Sequence, residues 1–93
     1  MRALLTAAVK GTEATILFQE PVPGAAAETA VIYPANASGR ARIHVLHWTE
    51  TGEVEVTTTN AAGFFPRGTG GTYKRSNKTA ITTTIRRGLD ALA

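Results

Sequence analysis

The sequence predicts an α+β fold: a small antiparallel sheet of about four strands, with a C-terminal helix packed on one face. Three observations carry this expectation. Residues 14–19, 29–33, 40–48 and 53–59 are rich in β-branched and aromatic residues and are divided by Pro, Gly and Asn. The last two runs are joined by a short turn ending in Gly52, the pattern of a hairpin. Ile81, Ile85, Leu89 and Leu92 then recur at spacings of 4, 4 and 3, an apolar stripe of helical period. Strands followed by a helix favour an antiparallel sheet covered on one side.

Taken in order, residues 2–10 (RALLTAAVK) end at Gly11 and read as a short N-terminal helix with a glycine cap. A strand pairing with 13–20 is the rival for that stretch. Ala14–Gln19 is a strand stopped by Pro21, and Pro21–Gly24 opens a loop. Thr29–Tyr33 is a strand stopped by Pro34, and Asn36–Gly39 is a turn. In the hairpin, a three-residue loop Glu50-Thr51-Gly52 fits a type I turn with a G1 bulge, Gly52 supplying positive φ. That register sets Trp48 opposite Val54, Leu46 opposite Val56 and His44 opposite Thr58, which makes the core face. His47 then pairs with Glu55 on the other face, beside Val45 and Ile43. Residues 60–75 read as a glycine-rich loop containing Phe64-Phe65-Pro66. Ser76–Ala93 reads as a helix with Ser76 as N-cap and Arg86–Asp90 as an i,i+4 pair. Thr82–Thr84 and Gly88 weaken that helix, and a strand at 79–85 is its rival.

Ninety-three residues make a single domain, 1–93. Of forty apolar residues sixteen are Ala, so the core is thin, and a homodimer or a partner covering an apolar face would ease the shortage. There is no Cys, which excludes disulfides and thiolate metal sites. No apolar run reaches the roughly 18–20 residues of a membrane span, and residues 1–10 lack the long apolar region of a signal peptide. A cytoplasmic protein without a membrane partner is the expectation.

Charge is more informative. Residues 1–60 carry four bases and six acids, while 61–93 carry six bases (Arg67, Lys74, Arg75, Lys78, Arg86, Arg87) against Asp90 alone. Lys74, Arg75 and Lys78 flank the expected helix start, where cations oppose the macrodipole. Free N–H groups at such a start attract anions. With Phe64, Phe65 and Tyr73 nearby, the segment offers phosphate-contacting bases beside rings that stack on exposed bases. The bland alternative is a solvated loop whose two Phe pack onto the sheet.

Ser76, Lys78, Ala80, Arg86, Arg87, Leu89, Ala91 and Leu92 resemble the final helix of a double-stranded-RNA-binding domain. The resemblance covers residues 76–92 of the 93 and is low in complexity, so it does not stand as an identification. It implies a basic helix start touching phosphates across the major groove, here through Lys78 and less directly Lys74 and Arg75, and a three-stranded sheet beneath. The chain departs from it at Thr83, Thr84 and Gly88, where the family favours Ala, and at Asn77, where a second base is usual.

Other chemistries find little support. His44 and His47, three apart on a strand, point to opposite faces and cannot share a metal. Ser38 and Ser76 are the only serines, and no G-x-S-x-G occurs. Gly68–Lys74 fails the phosphate-loop spacing. Arg40, Arg42 and His44 share a strand face, which reads either as a second anion-contacting strip or, more commonly, as the charged end of a strand leaving the core. The expectation is a small basic protein that binds DNA or RNA without catalysis or cofactor. Arg67, Lys74, Arg75 and Lys78 are its phosphate contacts, and Tyr73 or Phe64 its stacking rings. The alternative is a protein–protein interaction module that binds an enzyme of its host.

Overall fold

A computed structural model describes residues 1–20 and 22–93. Pro21, read as a strand stop, lies outside them. The elements are α1 (Arg2–Ala8), β1 (Thr15–Phe18), β2 (Ala27–Tyr33), β3 (Arg42–Trp48), β4 (Glu53–Thr59), β5 (Gly71–Lys74) and α2 (Lys78–Leu92). The strands form one open antiparallel meander in the order β1-β2-β3-β4-β5. Both helices lie on the same side, α2 over β3, β4 and β5, and α1 against α2 and β1. The expected α+β architecture is present, with a fifth strand where the glycine-rich segment read as loop. Gly71-Thr72-Tyr73-Lys74 is extended because it pairs with Val56 down to Glu53, a long-range support that local composition does not reveal.

The covered face follows from the register. Ile32, Ile43 and Thr58 form one cross-strand row, and Ala30, Val45 and Val56 the next. Against them α2 sets Ile81, Ile85 and Leu89, and α1 sets Leu4, Leu5 and Ala8. Each large side chain hidden in this way contributes roughly 1.5–3 kcal/mol. The hairpin expectation therefore fails by one residue. Its loop is Thr49–Gly52, four residues long, closed by the Gly52 N–H donating to the Trp48 carbonyl at 2.8 Å. Gly52 has positive φ as expected, 74°. The extra loop residue puts Val54 opposite His47 and Val56 opposite Val45. Because side chains alternate, that slip exchanges the faces. Ile43 and Val45 are core, whereas His44, Leu46 and Trp48 belong to the open face. There the Trp48 indole N–H donates to the Glu55 carboxylate at 3.3 Å. The expected His47–Glu55 pair does not form, and His47 Nδ1 instead lies 3.9 Å from Glu28.

The helix at the C-terminus starts later than expected. Asn77, not Ser76, is the N-cap, its side chain accepting from the Ala80 N–H at 3.3 Å. Gly88 explains its own presence. An added Cβ there would collide with Thr58 Oγ1 and stand 2.9 Å from Ile43 Cδ1, so glycine lets α2 lie close on β3 and β4. Arg86 does not pair with Asp90. Its guanidinium donates to the Lys10 carbonyl at 2.7 Å and ties α2 to the end of α1. Arg2 stacks over Phe18, 4.2 Å from the ring centre, and fastens the other end of α1 to β1. No described helix is long and apolar enough to cross a membrane.

Candidate nucleic-acid interface

The cations predicted from sequence are arranged around the edge strand β5. Arg67 precedes it, Lys74 ends it, and Arg75 and Lys78 lead into α2. Four residues of strand span about 13 Å, so Arg67 stands at one end of the edge and the other three at the opposite end. Lys74 points to the open face across from Glu53. The Arg75 N–H donates to the Gly52 carbonyl at 2.9 Å, which fixes the approach to α2 against the hairpin turn. Arg67, Lys74 and Lys78 are exposed and Arg75 is half-buried. Among the described residues the only pairing of a basic with an acidic side chain within 4.0 Å is His47 with Glu28. None of the four cations has a carboxylate within 4.0 Å, and Glu53, opposite Lys74 in the register, is the acid that stands nearest in the sheet.

Tyr73 does not join them. Its ring faces α2, and its hydroxyl lies 2.7 Å from Thr84 Oγ1, which also donates to the Ala80 carbonyl at 2.8 Å. The Tyr73 ring is half-buried and packs against the core, so it offers less surface to a base than an exposed ring.

Phe64 and Phe65 are the reverse case. They do not pack onto the sheet: 70% and 71% of their surface is exposed. The segment that carries them is nevertheless well fixed. Asn60 Oδ1 accepts from the Ala62 and Phe64 N–H groups at 3.1 and 2.9 Å, an Asx turn. The Asn60 N–H in turn donates to the Phe64 carbonyl at 2.8 Å. Further along, buried Thr58 donates to the Thr69 carbonyl at 3.0 Å, and Thr69 donates to the Pro66 carbonyl at 2.6 Å.

Sequence reasoning did not bring Arg40 to this place. The Arg40 N–H donates to the Ala61 carbonyl at 3.2 Å, joining the turn before β3 to the segment after β4. Its side chain passes over Gly63, where an added Cβ would stand 2.9 Å from Nη1. Arg42 is held nearby, its guanidinium over the Tyr33 ring at 5.6 Å and donating to the Arg40 carbonyl at 3.3 Å. Residues 34–41 and 60–70 contain no Asp or Glu. Glu13 and Asp90 line the groove beside the first turn, which they share with Pro34 and Ala35. The signal available in the sequence was this absence of acid in two separate turns, but only the fold makes them neighbours.

His44 and His47 project from opposite faces of β3, and no group of three metal-ligating side chains occurs among the described residues. Compared with protein-family models, curated proteins and solved structures, the chain matches none. The sheet has five strands where the resemblance to a double-stranded-RNA-binding domain implied three.

Proposed function

We propose that this chain is a small non-catalytic nucleic-acid-binding protein that holds phosphates along the β5 edge through Arg67, Lys74, Arg75 and Lys78. One observation supports it above the others: four cations stand at the two ends of one edge strand with no carboxylate within ion-pairing distance. Such bases gain by displacing counterions from a polyanion. The reading includes a cytoplasmic location, where DNA or RNA is at hand.

Fluorescence anisotropy with labelled oligonucleotides at 50 and 200 mM salt tests it. Four phosphate contacts make affinity fall roughly 50- to 150-fold between those salts. Reversal of all four charges (R67E, K74E, R75E, K78E) abolishes binding. Unchanged affinity in that variant removes the proposal.

A second reading has its own observation. The open sheet face exposes Leu17 by 52% and Trp48 by 36%, with Leu46 and Tyr33 half-buried beside them. A protein seated on that face, or a second copy of the chain, would cover them. In that case the four-charge reversal leaves partner binding intact, and Leu17→Asp with Trp48→Asp destroys it.

A further inference from the structure

We propose that Phe64 and Phe65 form a stacking platform for unpaired bases, with Arg40 and Arg67 on the adjoining phosphates, so that the chain prefers single-stranded nucleic acid to duplex. The inference rests on the phosphate-binding reading above and narrows its ligand.

The first ground is the contrast between the order of the segment and the freedom of its rings. Hydrogen bonds from Asn60, Thr58 and Thr69 fix the backbone on both sides of Phe64-Phe65, yet both rings remain about 70% exposed. Their backbone is already placed before anything binds, so a partner need not order it.

The second ground is charge. Two exposed rings alone would suit an apolar pocket on a protein equally well. Here Arg67 follows them two residues on, and Arg40 lies over Gly63 on the preceding side. Neither of the two turns that build the site carries an acid. Rings interleaved with unneutralised guanidinium groups match a chain of alternating bases and phosphates.

The third ground is access. In a duplex the base faces are stacked on one another, and a side chain reaches them only by prying a step apart. A free strand presents those faces without that cost. Arg67 then connects the platform with Lys74, Arg75 and Lys78 along β5, so one strand can run from the rings to the start of α2.

The experiment compares a labelled 15-nucleotide oligothymidylate with a 15-base-pair duplex, using the whole chain. The wild type is expected to bind the single strand at least ten-fold more tightly. Phe64→Ala with Phe65→Ala is expected to lower single-strand affinity roughly ten- to hundred-fold and leave duplex affinity within two-fold. Phe64→Trp with Phe65→Trp is expected to retain single-strand binding, which a purely structural role would not predict. Equal affinity for both nucleic acids, or an unchanged Ala variant, overturns this inference and leaves the phosphate reading standing. No affinity for either at 50 mM salt overturns both and returns the rings to a protein partner.

Discussion

Helix α2 and the segment 60–70 are both well anchored, but by opposite means. In α2 the order comes from burial: Ile81 and Ile85 are fully hidden, and Gly88 admits Thr58 and Ile43 to van der Waals contact. In 60–70 the order comes from hydrogen bonds. Asn60, Thr58 and Thr69 hold the backbone, and the two largest apolar side chains take no part in the core. Hiding a Phe contributes roughly 1.5–3 kcal/mol, so two exposed rings leave a substantial stabilisation unused. The two kinds of anchoring separate surface used by the fold from surface left for a ligand. A stretch ordered by burial has spent its apolar surface, whereas one ordered by polar contacts keeps it for something outside the chain.

Substitutions in the two regions test that contrast. The largest effect belongs to α2. Gly88→Ala improves helix propensity by about 1 kcal/mol, yet it forces the helix away from Thr58 and Ile43. A net loss of about 1–3 kcal/mol is expected, read as a lower urea midpoint at unchanged slope. A midpoint that rises would mean the contact with the sheet is loose. Next comes Asn60→Ala, which removes the acceptor for two N–H groups and is expected to cost about 1–2 kcal/mol. Hydrogen exchange at the Ala62 and Phe64 amides should accelerate in that variant, while amides within α2 stay protected. Slow exchange at both positions would show that Asn60 is not what orders the segment. The smallest effect is expected from Phe64→Ala with Phe65→Ala, within about 0.5 kcal/mol of wild type, because neither ring is packed. A loss above 2 kcal/mol in thermal unfolding would place the rings in the core and end the contrast.

Much of the architecture was legible in the chain, and the failures have physical causes. β4 runs from Glu53 to Thr59, the bounds that its alternating Val and Thr indicate, and α1 ends short of Gly11. What failed was the turn between β3 and β4. A three-residue and a four-residue loop both end in Gly52, and composition alone does not choose between them. That one-residue slip moved Leu46 and Trp48 from the expected core to the open side. β5 was hidden because Gly70 and Gly71 carry no strand preference of their own. A Cβ at Gly70, just before the strand, would stand 3.1 Å from the Val56 carbonyl, a tight approach to β4 that glycine eases. At the candidate site, local charge located Arg67, Lys74, Arg75 and Lys78, all of them near in sequence. Arg40 was read as part of a separate strip with Arg42 and His44, because its nearness to Gly63 depends on two loops folding together. That Tyr73 turns toward α2 while Lys74 turns to the open face follows from the register of a short strand, which was not available from sequence.

The bond from Arg86 to the Lys10 carbonyl reaches across 76 positions of chain. It carries a consequence for the order of assembly. The seven residues of α1 are too few to persist as a helix on their own, and their seat against α2 does not exist until residues 78–92 have been made. During synthesis the opening segment must wait, its leucines unsheltered, while the meander forms first. A nascent chain arrested before residue 86 should therefore show protected strands and a fraying α1, and only extension through α2 should quiet it.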